Sequence, residues 1–193
     1  MNLDLFKPKS LNTLAVRYRT DKSDLTHNFA QFYDKFFAPL RKKPVKILEI
    51  GIGRGASIRM WKRYFKKGSL FAIESEQRRG RYGFLGAKVY VGRQEDRSFL
   101  NKVMDEIGPL DIIIDDGSHR VDDQQTTLGI LFPYLKSGGY YVIEDIHTSF
   151  PNQDGLDFGL AADGSNSTYQ MLRDFKNTGL FLSPYLSYPW ECR

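Results

Sequence analysis

The stretch LEIGIGRGAS, residues 48–57, decides the fold of this chain of 193 residues. It begins as an apolar run, passes through three glycines and leads into an amphipathic segment. Glycine permits a tight turn and a close backbone approach to a ligand between a strand and a helix. The stretch therefore predicts a strand, a ligand-binding turn and a helix, in that order.

On both sides of this turn, apolar runs alternate with segments of helical periodicity. Strands are predicted at 45–53, 69–76, 87–93, 110–117 and 138–145, and helices at 26–40, 55–65, 97–107, 122–135 and 168–179. This alternation predicts an α/β fold: a Rossmann-like, doubly wound, mostly parallel sheet with helices on both faces. Prolines after residue 179 leave only short or atypical C-terminal strands. We expect one domain over residues 1–193, with residues 1–44 as an N-terminal helical cap.

The net charge of +5 raises the question of an anionic partner. Two basic clusters contribute to it, residues 41–43 with Lys46, and Arg78 and Arg79 with Arg81. Both clusters are short, and neither is interleaved with the aromatic residues that stack on bases. They are more typical of a solvated basic face, so nucleic acid is an unlikely partner.

The single cysteine, Cys192, can form no internal disulfide, which suits a reducing cytoplasm. The first residues contain no apolar run of signal-peptide length, and no stretch approaches the ~20 apolar residues of a membrane span. We therefore expect a cytoplasmic chain that does not cross a membrane. The sequence leaves a homo-oligomer open. Any metal site would use oxygen and nitrogen ligands.

The glycine turn satisfies two binding patterns. Gly51, Gly53 and Ala56 match the dinucleotide pattern G-x-G-x-x-G/A. Gly51, Gly53 and Gly55, preceded by Glu49, match the arrangement E-x-G-x-G-x-G. An acid so close to the glycines would repel a pyrophosphate, whereas it would suit a ligand with a cationic end. The second pattern is therefore favoured.

An acid follows the second predicted strand. Glu74 lies about 20 residues beyond the glycines, where a carboxylate can accept both hydroxyls of a ribose. The alternative is an acid at a solvated strand end. The glycine turn upstream favours the ribose interpretation.

Acids also follow the fourth and fifth predicted strands. Asp116 lies in DDGSH, and Glu144 and Asp145 lie in VIEDIHTS. The carboxyl ends of parallel strands meet at one edge of a sheet, where three carboxylates without a cation would raise each other's pKa values. Each acid alone is typical of a helix cap or a surface. Together they predict a divalent ion, and oxygen ligands favour Mg²⁺, Mn²⁺ or Ca²⁺ over zinc.

His119 lies three residues after Asp116, close enough to reach the same ion. It could be a metal ligand, a general base or a hydrogen-bonding residue of the loop. We favour the base, which would remove the proton of a hydroxyl that the ion polarises. His147 is a weaker candidate.

The E-x-G-x-G-x-G turn with its strand-end acid resembles the class I S-adenosylmethionine-dependent methyltransferases. The motifs DDGSH (115–119), VIEDIHTS (142–149) and YRTDKSDLTHNFAQFYDKFFAPL (18–40) resemble the macrocin and mycinamicin type of sugar O-methyltransferase. The cephalosporin-hydroxylase family is similar in the same motifs. This resemblance extends over roughly residues 18–150.

The resemblance implies a cofactor, a metal and residues for both. It implies S-adenosylmethionine bound by Glu49, Gly51, Gly53, Gly55, Ser57, Glu74, Gln94 and Asp115. It also implies Mg²⁺ or Mn²⁺ bound by Asp116, Glu144 and Asp145, with His119 as the base. Thr20, Asp21, Lys22 and His27 match a segment that closes over the cofactor or the acceptor.

The predicted function is O-methyl transfer to a hydroxyl of a sugar or a glycosylated small molecule. Two alternatives remain. The first is a metal-dependent hydroxylase component of the cephalosporin-hydroxylase type, which would consume oxygen and require iron. The second is a relative without catalytic activity that binds RNA through its basic face.

Overall fold

The computed structural model describes residues 10–76, 86–151, 155–186 and 190–191. The helices are α1 (Leu11–Tyr18), α2 (Phe29–Phe37), α3 (Ala56–Tyr64), α4 (Arg97–Ile107), α5 (Val121–Leu131) and α6 (Thr168–Thr178). The strands are β1 (Lys46–Ile50), β2 (Ser69–Glu74), β3 (Lys88–Val91), β4 (Leu110–Asp115), β5 (Leu135–Ile143), β6 (Leu180–Phe181) and β7 (Trp190–Glu191). Within these ranges, no helix combines the length and apolarity needed to cross a membrane. Cys192 and the cluster of Arg78, Arg79 and Arg81 lie outside the described residues.

The first five strands form one sheet in the order β3-β2-β1-β4-β5, and every neighbouring pair is parallel. Central strand β1 pairs with β2 on one side and with β4 on the other, so Ile50 lies opposite both Ile73 and Asp115. Helices α3, α4 and α5 lie in the connections from β1 to β2, from β3 to β4 and from β4 to β5, as the alternating sequence pattern requires. The predicted doubly wound α/β fold is confirmed.

Successive residues of a strand point to opposite faces of the sheet and pack in different hydrophobic clusters. Ile47 packs in a cluster with residues of α1, α2 and α3, whereas Leu48 packs in a second cluster with residues of α4 and α5. Trp61 of α3 is fully buried in the first cluster, with its ring centroid 6.0 Å from that of Phe37. The sheet therefore has helices on both faces, and its strands are apolar on both sides for that reason.

The N-terminal segment contains one helix that the sequence pattern missed. Helix α1 has only eight residues, and Leu11 and Leu14 are buried against the first core cluster. Ser10 caps it by accepting a hydrogen bond from the Thr13 amide. The next helix begins at Phe29, later than predicted, because Asn28 before it has a φ of 60°. Helices α1 and α2 thus share a core with the sheet.

The C-terminal strands are short, as predicted, and they form a two-stranded sheet of their own. Helix α6 ends at Gly179, whose φ of 75° lies in the left-handed region that glycine favours. Strand β6 follows at once and pairs with β7 in an antiparallel ladder of two residues on each side. The five-stranded sheet ends at β5, so it gains no antiparallel pair from these strands.

The described part of the predicted long loop, residues 155–167, is bound to helix α5. Asn166 accepts a hydrogen bond from the Ala161 amide and donates one to the Gly159 carbonyl. Gln125 of α5 donates to the Asn166 carbonyl at 2.6 Å, and the Val121 amide donates to the Phe158 carbonyl. These bonds fix the loop against α5.

The turn after β1 lies directly against the turn after β4. Gly51 has a φ of 82°, and a Cβ atom at this position would lie 1.9 Å from the carbonyl oxygen of Asp116. Gly53 also has a positive φ, but a Cβ atom there would meet no atom within 4 Å. Position 51 therefore requires glycine both for its positive φ and for the contact between the turns, whereas position 53 favours glycine for its positive φ alone.

This difference predicts the effect of two alanine substitutions. Gly51→Ala adds a backbone clash to the strain of a left-handed alanine, so we expect a loss of at least ~3 kcal/mol of unfolding free energy. Gly53→Ala adds only the strain, so we expect a loss of ~1–2 kcal/mol. Urea unfolding followed by circular dichroism measures both values. Equal losses would contradict the close contact of the two turns.

Candidate active site

The predicted site residues gather at the carboxyl edge of the parallel sheet. The ladder bonds continue into the turns, since the Asp116 amide donates to the Ile50 carbonyl and the Glu144 amide donates to the Asp115 carbonyl. The ends of β1, β4 and β5 are thereby held level with one another. Ligands of open α/β sheets bind at this edge, and two clefts open there.

The first cleft has a volume of about 270 Å³ and lies over the ends of β1 and β2. Its walls include Gly51, Glu74, Gln94, Gly117 and Ser118. Three of these residues, Gly51, Glu74 and Gln94, were predicted from the sequence to bind a cofactor. The structure therefore brings the glycine turn and the strand-end acid to one cavity.

Glu74 is fixed in this cleft by donors from its own surroundings. One carboxylate oxygen accepts a hydrogen bond from the Ile52 amide at 3.3 Å, and the other accepts from the Ser75 amide at 2.9 Å. The side chain is only 9% exposed. Its carboxylate is thus oriented before any ligand arrives, which lowers the entropic cost of binding a pair of hydroxyls.

Glu49 and Ser57, also predicted to bind the cofactor, bind each other beneath α3. Ser57 Oγ donates to Glu49 at 2.9 Å, and Trp61 Nε1 donates to the other carboxylate oxygen at 3.1 Å. Glu49 is fully buried, and this burial raises the pKa of its carboxyl to about 8. Neither side chain is among the residues that line the first cleft. Gly53 and Gly55 form the turn above them, and Gly55 immediately precedes α3.

Gln94 and Asp115 form a buried pair that shapes the turn after β4. The Gln94 amide group donates to Asp115 at 3.1 Å and accepts from the Ser118 amide at 2.7 Å. Burial raises the pKa of Asp115 to about 7, and Gln94 also bonds Thr127 of α5, which the sequence did not indicate. Gln94 therefore lines the cleft while it holds the neighbouring turn, and Asp115 lies behind it.

Asp116, His119 and Asp145 form a group that could hold a metal ion. Each offers one ligand atom, and these atoms all lie within 4.8 Å of one another. His119 Nε2 lies 3.5 Å from Asp145 Oδ2. Both residues have left-handed backbones, with φ values of 60° and 53°, and such strain concentrates at functional sites.

The other ring nitrogen of His119 supports the same interpretation. Among the described residues, His119 Nδ1 is one of few buried side-chain atoms without a hydrogen-bond partner. Buried polar atoms are nearly always paired in folded proteins, so the unpaired Nδ1 atom leaves His119 able to bind a ligand. Oxygen and nitrogen donors of this kind fit a divalent ion.

Glu144, the third predicted metal ligand, is directed toward the N-terminal segment. Lys22 Nζ lies 2.7 Å from one of its carboxylate oxygens, and the Tyr33 hydroxyl donates to the other at 2.5 Å. The same Lys22 Nζ lies 2.6 Å from Asp116. Lys22 was known from the sequence only as part of the segment containing Thr20, Asp21 and His27, and Tyr33 was not indicated. Of that segment, Lys22 contacts the acids, whereas the His27 ring packs near Phe29.

The second cleft has a volume of about 440 Å³ and lies beside the acids. Phe29, Phe32 and Tyr33 of α2 form one wall, and Asp145 and His147 belong to the other. The Phe32 side chain is 58% exposed although it is aromatic. An apolar cleft with acids at one end suits a ligand that is apolar over most of its surface and carries hydroxyls.

The first basic cluster contributes to packing. The guanidinium of Arg41 lies 4.5 Å from the centre of the Tyr64 ring, and Lys46 Nζ donates to the Ile107 carbonyl. These contacts agree with the interpretation of the cluster as part of a folded surface. Arg41 makes a cation–π contact and Lys46 caps the end of α4, and both contacts are common on folded surfaces.

Comparison with known proteins identifies relatives over most of the chain, although no family model matches it. The chain is 40% identical over 153 residues to 8-demethyl-8-(2-methoxy-alpha-L-rhamnosyl)-tetracenomycin-C 3'-O-methyltransferase of Streptomyces olivaceus, which is 75% of this chain and 38% of that protein. It is 42% identical over 147 residues to L-olivosyl-oleandolide 3-O-methyltransferase of Streptomyces antibioticus, 72% of this chain and 38% of that protein. The chain thus spans less than half the length of these curated relatives.

A similar structure has been solved with ligands. The MycE methyltransferase from the mycinamycin biosynthetic pathway, in complex with Mg, SAH and mycinamycin VI, superposes with a TM-score of 0.80 and 31% sequence identity. The match covers 91% of this chain and 52% of that one. The class I methyltransferase fold is therefore established for the described residues.

The buried carboxyl of Glu49 predicts a specific pH dependence of stability. Its pKa rises from the ordinary value of 4.5 to about 8 in the folded chain, so the folded state retains a proton that the unfolded state loses. Stability from this group is present at low pH and is lost as the pH rises toward 8. The unfolding free energy of the native chain should therefore fall between pH 6 and pH 9. In Glu49→Gln this fall should be smaller by roughly 2 kcal/mol.

Urea unfolding of the metal-free chain at both pH values measures this difference. Glu76→Gln is the matched control, because Glu76 is exposed and the substitution makes the same chemical change. It should retain the pH dependence of the native chain. If Glu49→Gln behaved like this control, Glu49 would be ionised when buried.

Proposed function

The chain is a relative of the sugar O-methyltransferases, and from that premise we propose that it transfers a methyl group from S-adenosylmethionine to a hydroxyl. The acceptor is a sugar or a glycosylated small molecule, and the reaction depends on a divalent ion, Mg²⁺ or Mn²⁺. One observation supports this proposal above others. A cleft containing the glycine turn and Glu74 adjoins the group of Asp116, His119 and Asp145 at one sheet edge.

The first cleft is the proposed site of the methyl donor. The glycine turn at Gly51 allows backbone contact with the amino-acid end of the donor, and the Glu74 carboxylate accepts the ribose hydroxyls. Gln94 and Ser118 form the adjoining wall, toward the adenine. Glu49 supports the glycine turn from below through Ser57, so its effect on donor binding is indirect.

Asp116 and Asp145 would hold the divalent ion, with His119 beside it. When bound, the donor supplies an electrophilic methyl group and the ion lowers the pKa of the acceptor hydroxyl. His119 Nε2, which faces Asp145, would take the hydroxyl proton as the oxygen attacks the methyl carbon. The carbon–sulfur bond of the donor would break in the same step, and S-adenosylhomocysteine would leave. The Asp145 carboxylate would stabilise the imidazolium that results.

The second cleft is the proposed site of the acceptor. It shares Asp145 with the metal group and has aromatic walls from α2. The named relatives methylate sugars attached to tetracenomycin and oleandolide, and the MycE structure contains mycinamycin VI. We propose the same class of acceptor here, with its sugar toward Asp145 and its apolar part along Phe29 and Phe32. The described residues would form one methyltransferase domain, with α1 and α2 as its cap.

Donor binding is tested by calorimetric titration with S-adenosylhomocysteine. Glu74→Gln removes a charged acceptor from two hydroxyls, so we expect an affinity about tenfold weaker or more. Glu76→Gln serves again as the control, because this exposed residue lies two positions beyond Glu74 and outside the cleft. Its affinity should equal that of the native chain. Unchanged affinity in the Glu74 variant would exclude the ribose role.

Turnover is tested with S-adenosylmethionine and a panel of rhamnosylated and olivosylated polyketides, by mass spectrometry of the methylated product. Excess chelator should abolish product formation, and Mg²⁺ should restore it.

His119→Gln should lower kcat by about 100-fold or more, since a general base contributes this much, and leave S-adenosylhomocysteine affinity within about threefold.

His147→Gln is the comparison variant for His119. His147 is 70% exposed at its side chain and lines the second cleft, so its loss should raise the KM for the acceptor more than it lowers kcat. If the His119 variant kept the native kcat, His119 would not be the base that takes the proton. If the chain kept full activity in chelator, the reaction would not depend on a metal ion.

A further inference from the structure

Asp123 is an acid of the first cleft that has no role in the donor site as proposed above. It lies in the first turn of α5 and is one of the residues that line the cleft. The residue is only 8% exposed, so its carboxylate is largely withdrawn from bulk water. A polar group that is buried at the wall of a cavity needs a partner there, and this makes Asp123 a candidate for ligand binding.

The Asp123 carboxylate is held by one of its two oxygens. Ser118 Oγ donates a hydrogen bond to Asp123 Oδ2 at 2.6 Å. Ser118 is itself fixed, because its amide donates to Gln94 Oε1 at 2.7 Å and its Oγ accepts from the Arg120 amide at 3.2 Å. Within the part of the chain that the structure describes, no hydrogen bond reaches Asp123 Oδ1. This oxygen therefore remains available to a ligand in the cleft.

Asp123 and Glu74 lie on different sides of the first cleft. Glu74 is the last residue of β2, whereas Asp123 follows β4, and β1 lies between these two strands in the sheet. Thr127, one helical turn after Asp123, exchanges hydrogen bonds with Gln94, so this face of α5 is directed toward Gln94. A nucleoside whose ribose binds Glu74 therefore extends its base toward Gln94 and Asp123.

The chemistry of Asp123 matches the amino group of adenine. An ionised carboxylate only accepts hydrogen bonds, and the 6-amino group of adenine donates them. Burial raises the pKa of Asp123, but the hydrogen bond from Ser118 opposes this rise by stabilising the ionised form. Glu95 also lines the cleft, yet its carboxylate is already paired with Arg93. Asp123 therefore suits an amino group better than Glu95 does.

We propose that Asp123 selects the adenine base of the methyl donor by accepting a hydrogen bond from its 6-amino group. This inference rests on the donor site proposed above and assigns the residue that distinguishes adenine from other bases within it. A base with an oxygen at position 6 presents an acceptor to the carboxylate, and two acceptors repel each other. Glu74 thus recognises the ribose, and Asp123 recognises the base.

Calorimetry of the full chain with two ligands measures this contact. One ligand is S-adenosylhomocysteine, and the other is its analogue with hydrogen in place of the 6-amino group. Because the lost hydrogen bond is to a charged group, the native chain should bind S-adenosylhomocysteine about tenfold more tightly or better. In Asp123→Ala the two affinities should lie within about twofold of each other. A purely structural role of Asp123 would weaken both ligands together and leave their ratio unchanged.

Asp122→Ala is the matched control, because Asp122 is the neighbouring acid, binds Arg120 and does not line the cleft. It should keep the native ratio. Glu74→Gln should weaken both ligands alike, since both carry the ribose, and should also keep the ratio. Asp123→Asn retains the size of the side chain and loses its charge, so it should lower the ratio by about threefold or more. This variant decides the matter where Asp123→Ala does not fold.

The outcomes separate this inference from the proposed function. A native chain that binds both ligands equally overturns the inference and leaves the donor site intact. A native ratio retained in the folded Asp123 variants, or a ratio lost in Glu95→Gln instead, overturns the inference as well. A native chain that binds neither ligand overturns both the inference and the proposed donor site.

Discussion

The site depends on the parallel pairing of β1 with β4. This pairing places Ile50 opposite Asp115, and the ladder continues until the Asp116 amide meets the Ile50 carbonyl. The two turns that follow are then in contact, at Gly51 and the Asp116 carbonyl. A shift of one residue in this register would turn every strand side chain to the opposite face. The first cleft and the acids therefore adjoin because of this register at the centre of the sheet.

Buried acids at this edge are stabilised in two different ways. Glu49 and Asp115 bond to neutral donors and have raised pKa values, so the cost of burial is reduced by retaining a proton. Burial also raises the pKa values of Asp116 and Glu144, but these two acids share the buried ammonium of Lys22 as well. Removing one partner of a buried ion pair strongly destabilises the folded protein, because the other partner is left buried with an unpaired charge. The acids nearest the proposed chemistry are thus the ones whose charges are balanced from another segment.

The sequence alone predicts the helix bounds that local patterns determine and the position of residues at the ends of parallel strands. Helix α4 has the predicted bounds, because Asp96 caps its start and Gly108 follows its end. Glu74 lies at its cleft because a parallel strand must deliver its last residue to that edge. Glu49 was assigned to the cofactor, yet it shares the strand face of Ile47, two positions earlier, and that face is covered by α3. The strand period could have indicated this orientation, but the Trp61 partner comes from packing.

The contact of Lys22 with Glu144 joins residues 122 positions apart, so no local pattern contains it. The N-terminal segment nevertheless belongs to the same resemblance as the strand ends. The structure gives a physical reason, since the loop before α2 supplies Lys22 to the acids while α2 supplies Tyr33 to Glu144 and Phe29 to the second cleft. One short segment thereby pairs the acids that follow β4 and β5 and forms the wall beside them. Changes in the packing of α2 should therefore act on acceptor binding and on the acids together, because the same backbone holds both.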